Sequence, residues 1–411
     1  MKAARAALLL LLPFLLTGCW DRLEIEERAV VLAIAIDTAE PEEAKNESYV
    51  QEDALEAKSS TPLPEGKMIR LTAQIAVPGR IPLGPGEGGG GSGTSGGQEP
   101  VWVLESVGNT MEDAVQALQQ EVADPLFLGH LRVIVISEDV ARRGTGNIND
   151  FLRRNPEVRR LAWLVVSKER AGEYMRAAPQ LERVPALYLL STLDNAVQTG
   201  RYPMEPIGSF WIKLSSRGRE ANLPYLQIED KDNVRLAGLA YFQRDKLIGV
   251  TKTLEIGLYM GLIGNGQGGY SSFVRIPGTD ETAMFRVSNR RATTEVVMKN
   301  GRPAIKATVF LEGNITEVSE PDDGRVESLT DIQAIEKDLS RRVSERYETF
   351  IRHMQREGSD IFGYGEYVRA KQPGYWNRYI RTKEGWREEF KNLDVEVVAT
   401  LQVRRVGQKA R

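Results

Sequence analysis

The chain has 411 residues, 54 basic and 57 acidic, for a net charge of −3, and a single cysteine. Arg and Glu are interspersed along its length, so it lacks the basic excess or stripe with which a protein neutralises nucleic-acid phosphates, and no nucleic-acid partner is expected. One thiol excludes internal disulfides, and two histidines, His130 and His353, leave little for metal or triad chemistry; the 41% hydrophobic content must therefore supply the cores of two or three domains.

Lys2 and Arg5 open the chain, residues 7–16 are apolar apart from Pro13, and Leu16-Thr17-Gly18-Cys19 follows. A charged start, an apolar run and small residues before a cysteine form a bacterial lipobox. Processing there needs a thiol, because the sulfur becomes a thioether to diacylglycerol and cleavage makes Cys19 the new N-terminus. An uncleaved anchor is the weaker reading, since the run falls short of the roughly 20 residues a spanning helix needs. Residues 1–18 are thus expected to be removed, and 19–28 to be the lipidated cysteine and a polar tether. Loss of Lys2 and Arg5 leaves 52 basic against 57 acidic residues, a net charge of −5. Each buried methylene contributes about 0.8 kcal/mol, so two acyl chains hold the mature protein on a membrane.

Residues 29–36 form a continuous apolar run suited to a buried strand, and 69–77 alternate as a second. The acidic, Pro-containing residues 39–66 between them read as a loop. Residues 84–97 are Gly-rich and of low complexity, an expected disordered surface insertion without the Lys-Ser/Thr pair of a phosphate-binding loop. Met111, Ala114, Val115, Leu118 and Val122 fall at helical spacing behind Asn109 or Thr110 as N-cap. Strands at 131–137 and 161–167, a charged helix near 139–143 and a helical segment around 170–198 complete an N-terminal α/β domain over 29–200. The Pro-rich 202–206 opens a linker region, 201–235.

In the second half, 236–242 and 246–250 pair across Arg244-Asp245, and Gly264–Gly269 is a very weak nucleotide signal. Asn300-Gly301 between apolar runs is the strongest short hairpin signal. Ile332, Ile335, Leu339, Val343, Tyr347, Phe350 and Met354 recur at steps of three and four up to Gly358, a helix with one apolar stripe. It is expected to cover the antiparallel sheet, with a coiled coil against a partner as the alternative. Residues 395–403 alternate as a final strand. The fold class expected is mixed α/β (α+β) in two to three domains, each a mainly antiparallel or mixed sheet packed with helices, the C-terminal α+β domain spanning 236–411.

Gly18-Cys19-Trp20-Asp21-Arg22, then His130-Leu131-Arg132-Val133-Ile134-Val135-Ile136-Ser137-Glu138, and then Phe151-Leu152-Arg153-Arg154-Asn155-Pro156-Glu157 resemble the signatures of the Ger(x)C family, the lipoprotein C subunit of germinant receptors in spore-forming bacteria. The likeness continues through Leu236-Ala237-Gly238-Leu239-Ala240-Tyr241-Phe242 and Asp360-Ile361-Phe362-Gly363-Tyr364-Gly365-Glu366 to Trp376, Trp386 and Phe390. The Gly-rich stretch 84–97 departs from the family pattern. The resemblance implies anchoring on the outer face of the spore inner membrane and assembly with the membrane A and B subunits of a receptor for amino acids, sugars or nucleosides. It carries no catalytic motif, and only Cys19 transfers as a functional residue.

Three functions follow. The first is a non-enzymatic, lipid-anchored receptor subunit without a cofactor beyond its covalent lipid. The second is a lipoprotein that itself binds a germinant, with Trp376, Tyr379 and Trp386 or Tyr225 and Tyr241 as pocket walls. The third is a hydrolase pairing Glu366 with Asp360, which needs two carboxyls at a defined separation across a cleft; the competing reading is that both fix a turn after the long helix.

Overall fold

The computed structural model describes residues 24–40, 68–80, 99–179, 182–230, 232–264, 266–276, 282–318 and 329–406. Cys19 and the Gly-rich residues 84–97 lie outside them.

Nine strands build the first sheet: β1 (Ala29–Thr38), β2 (Ile69–Ala76), β3 (Val101–Gly108), β4 (Leu126–Phe127), β5 (Val133–Ser137), β6 (Trp163–Ser167), β7 (Asn222–Glu229), β8 (Asn233–Gln243) and β9 (Lys246–Val250). Their order is β3-β2-β1-β5-β6-β7-β8-β9, with β4 beside β1. The central β1, β5, β6 and β7 are parallel, and antiparallel pairs flank them on both sides.

Parallel strands covered on both faces read as unbroken apolar runs, and β5 and β6 are buried at every position. Successive side chains alternate between faces. Ile34, Ile36, Ile134, Ile136, Leu164 and Val166 join the core under α1 (Met111–Gln120), α2 (Glu138–Arg143) and α3 (Gly146–Arg154). Ala33, Ala35, Val133, Val135, Trp163 and Val165 join the opposite core, under a 3-10 turn (Ala171–Met175) and α4 (Pro185–Gln198). Thr110 proves to be the N-cap of α1, its hydroxyl accepting from Asp113 N at 3.2 Å.

The structure departs from the expected linker at 201–235. Pro206 bridges to Trp163, and Ile207 N donates to Ala162 O at 2.8 Å, so the Pro-rich stretch is sewn to the start of β6 and opens α5 (Ile207–Ser215). Here proline fixes the entry to a helix, a role its backbone geometry suits as well as a linker's. The β8–β9 hairpin, expected in the second half, extends the first sheet.

The second half starts with α6 (Thr253–Ile263) and continues through β10 (Gly266–Gln267), β11 (Ser271–Arg275), β12 (Thr282–Lys299) and β13 (Arg302–Val318) to α7 (Leu329–Glu357). Then come α8 (Tyr364–Lys371), a π-helical turn (Trp376–Ile380), α9 (Lys383–Lys391) and β14 (Asp394–Val406), which pairs parallel to β13. Asn300 and Gly301 turn the β12–β13 hairpin with φ of 50° and 78°, the doubly positive conformation of a type I′ turn.

Helix α7 closes the outer edge of β14. Ser344 Oγ accepts from Ala399 N at 3.0 Å, Ser340 Oγ from Leu401 N at 2.9 Å and Glu336 Oε1 from Val403 N at 2.7 Å. Four helical residues rise about 6.0 Å and two strand residues about 6.6 Å, so acceptors and donors stay in step over three pairs. The edge that could template another strand is thereby occupied, and the apolar stripe of α7 faces this sheet's core, as one of the two readings expected. No helix among the described residues is long and apolar enough to cross a membrane.

Candidate functional site

The two halves meet along a buried polar seam made by two loops. Residues 216–221 lead from α5 into β7; residues 358–363 lead from α7 into α8. Glu220 N donates to Asp360 O at 2.8 Å, Ser359 Oγ to Phe242 O at 2.8 Å, and Arg219 Nε to Ile361 O at 3.2 Å. The backbones touch: a β-carbon on Gly218 would stand 2.4 Å from the Gly365 carbonyl carbon, so only glycine fits there.

Asp360 anchors the second loop. Its carboxylate accepts from Gly363 N, Gly365 N and Trp386 Nε1, each at 2.9 Å. Burial pushes its pKa up to about 6, against these donors, which favour the ionised form. Glu366 reaches back to the first loop, accepting from Ser216 Oγ and from Gly218 N at 2.7 Å, and pairs with Arg369. Beside it, Glu220 accepts from Arg244 N at 2.9 Å and pairs with Lys383 at 3.1 Å and Arg387 at 3.0 Å, its side chain 4% exposed.

A second line of groups crosses the seam. Lys213 of α5 donates to Glu205 and to Asn222 Oδ1, the latter at 2.8 Å; Tyr259 of α6 donates to the same oxygen at 3.3 Å, and Arg219 donates to the Tyr259 hydroxyl at 3.1 Å. Burial lowers the Lys213 pKa to about 8, with Glu205 opposing the shift. Of these, Glu205, Lys213 and Arg219 line a cleft of about 710 Å³ between the halves, with Arg290 at another wall. Pockets at domain junctions with convergent polar groups are common ligand sites, but here each carboxylate is already held by donors of the fold. The arrangement joins the two halves through hydrogen bonds and ion pairs.

Two family models together span almost the whole chain: a spore germination protein N-terminal domain over residues 21–228, and a spore germination B3/GerAC-like C-terminal domain over 237–407. The chain belongs to the GerAC-like family of spore germination proteins. Among relatives, spore germination protein KC of Bacillus subtilis (strain 168) is 25% identical, covering 99% of this chain and 96% of its own. Spore germination protein B3 of the same organism is 22% identical, covering 98% of each. The crystal structure of the GerBC protein shares the fold, with a TM-score of 0.50 and 17% identity over 83% of this chain and 95% of the other.

In this GerAC-like chain the expected residues fall as follows. Asp360 and Glu366 hold the loop after α7, each satisfied by a separate set of donors. Trp376 and Trp386 stack in the core with ring centroids 5.8 Å apart, Tyr241 is buried, and the Tyr225 hydroxyl donates to Glu138. Of the five aromatics only Tyr379 is exposed. His130 packs against Phe127, and burial, then Arg159 and Arg132, lower its pKa; His353 lies near Glu255 and Glu357. Among the described residues no three of His, Cys, Asp and Glu gather as for a metal ion. Sequence reasoning missed Glu205, Lys213, Arg219 and Glu220. The one visible signal was a lysine in the otherwise apolar Ile207-Gly208-Ser209-Phe210-Trp211-Ile212-Lys213-Leu214.

Proposed function

We propose that this protein is the lipid-anchored C subunit of a spore germinant receptor, held at the outer face of the spore inner membrane by a diacylglycerol thioether on Cys19. It acts without catalysis, supporting assembly and signalling of the membrane A and B subunits when nutrient is detected. The observation that carries this reading is the family match through both halves, joined to Leu16-Thr17-Gly18-Cys19 at the start of the chain. The seam supports a coupling role, because loops from the two halves are locked by hydrogen bonds and buried charge rather than by apolar contact alone. A germinant-binding role is less favoured, since four of the five aromatics expected as pocket walls are core residues.

Co-purification from spores tests the proposal. Tagged wild-type protein is expected to bring down two polytopic membrane proteins, and Cys19→Ala to be soluble, alone and impaired in germination. Normal germination with a fully released Cys19→Ala protein would overturn it.

A further inference from the structure

We propose that an arginine-lined groove at the end of the first sheet where β1, β5 and β6 begin is the face this protein lays on the membrane, binding anionic phospholipid headgroups. The proposal takes its orientation from the lipid-anchored reading above. Because β1, β5 and β6 are parallel, the segments before them gather at one end of the sheet. Ala29 N donates to Pro125 O at 3.0 Å, and Leu128 N to Glu157 at 2.8 Å, so the chain enters its first strand beside the loop that precedes β6. Cys19 lies five residues before Glu24, the first described residue. Even fully extended, that span reaches no more than about 18 Å, so a lipid on Cys19 keeps this end of the sheet near the bilayer.

The groove at this end has a volume of about 1120 Å³ and carries Arg153, Arg160, Lys213, Arg217, Arg219 and Arg369 against one carboxylate, Glu366. Lys213 is taken by Glu205 and Arg369 by Glu366. Arg153, Arg160 and Arg217 are exposed and form no ion pair among the described residues; the contact Arg153 makes is over the Trp211 ring, at 5.8 Å. Their charge is therefore available to a ligand.

Apolar side chains project beside these cations. Ile212 and Leu161 are each 72% exposed and Met204 51%. In α5 the usual phase is inverted, with Lys213 buried against Glu205 and Ile212 turned to solvent. Apolar protrusions among unpaired arginines suit a bilayer interface, where the former enter the acyl boundary and the latter meet phosphate. The exposed Glu24, Glu26 and Glu27 of the tether are repelled by the same lipids, which favours contact through the groove over contact along the tether. A basic surface near an anionic leaflet gains attraction that salt screens.

The test uses the mature chain carrying Cys19→Ser, which bears no lipid, sedimented with vesicles of phosphatidylcholine alone or mixed with phosphatidylglycerol. Binding is expected only to the anionic vesicles, falling as salt rises. The triple variant Arg153→Gln/Arg160→Gln/Arg217→Gln should bind them about a hundredfold more weakly, roughly fivefold for each arginine. A matched triple at the far hairpin, Lys299→Gln/Arg302→Gln/Lys306→Gln, should bind like the parent. Equal binding to both vesicles, no binding, or an equal loss in the hairpin triple overturns the proposal. So does a groove triple that keeps vesicle binding but loses the membrane proteins, which would make the groove a protein contact. Thermal melts confirm that each variant folds. Lipidation is read separately, from the mass of the wild-type N-terminal peptide, so failure of the anchor and failure of the groove are distinguishable.

Discussion

The centre of the first sheet and the seam between the halves are both buried, yet opposite physics holds them. In β5 and β6 the interior is Val, Ile, Leu and Trp up to the serine that ends each strand, and the backbone polar groups are spent in the ladder. At the seam, Glu220, Lys213 and Asp360 are each at most 5% exposed and rely on specific partners. Apolar burial is non-directional and forgives small shifts. A buried carboxylate between two cations does not, because losing one partner strands the others in low dielectric.

The sharpest way to break this comparison is a pair of alanine substitutions. Leu164→Ala, in the core of the first sheet, should cost about 2–5 kcal/mol through cavity formation. Glu220→Ala should cost about 3–5 kcal/mol, but at a different place, since it leaves Lys383 and Arg387 without their shared carboxylate. Denaturant unfolding followed by hydrogen exchange separates the two. The core variant is expected to shift the protection of β5 and β6, and the seam variant to open 216–221 and 358–366 first. If both variants unfold the molecule as one unit with the same exchange pattern, the seam is not a separable joint.

Proton linkage sharpens the contrast, because β5 and β6 carry no titrating side chain. The Asp360 pKa rises from 3.8 to about 6 on folding. A raised carboxyl pKa contributes stability that is fully present below the unfolded value and lost as pH rises through the folded one. Between pH 4 and pH 6 the wild type should therefore lose on the order of 2 kcal/mol relative to Asp360→Asn. The variant starts less stable, since its amide nitrogen replaces either the oxygen that accepts from Gly363 N or the one that accepts from Gly365 N and Trp386 Nε1 and sets donor against donor there, but its stability should not vary with pH through this group. Melting temperatures across that range check the slope; parallel curves would show that Asp360 does not titrate there.

What could be read in the sequence divides along the same line. Strands β1, β2, β5 and β6, helices α1 and α7, and the Asn300-Gly301 hairpin carry their signal in local periodicity and turn chemistry, and the structure holds them near the expected residues. Strand β3 went unread because it follows a Gly-rich stretch and its apolar run is broken by Glu105 and Ser106, with Trp102 exposed. Pro203 and Pro206 suggested a linker where the structure has a helix entry, a difference decided by Ala162 and Trp163 some forty residues away. The seam was illegible for the same reason: Glu220 meets Lys383 and Arg387, and Ser216 meets Glu366, across more than a hundred residues. Of the seam residues, Asp360, Glu366 and Trp386 were singled out, and of the two readings offered for the carboxylates the turn-fixing one describes their bonds.

The smallest effect tests the joint between α7 and β14, where a periodic helix meets a periodic strand. Each serine there works twice. Ser340 Oγ donates to Glu336 O at 2.6 Å and accepts from Leu401 N, while Ser344 Oγ donates to Ser340 O at 2.9 Å and accepts from Ala399 N. A hydroxyl bonded to the carbonyl four residues back ordinarily weakens a helix slightly, so in isolation alanine would be the better helix former by a few tenths of a kcal/mol. In place, alanine leaves a strand N–H without its acceptor, at about 1–3 kcal/mol for each group. The loss should win, so Ser340→Ala and Ser344→Ala should each lower stability by about 1 kcal/mol. The Ala399 and Leu401 amides should exchange faster while the β13 ladder, which bonds the other edge of β14, stays protected. Unchanged exchange at Ala399 and Leu401 in the double variant would mean that apolar packing of α7, rather than its hydroxyls, closes that edge.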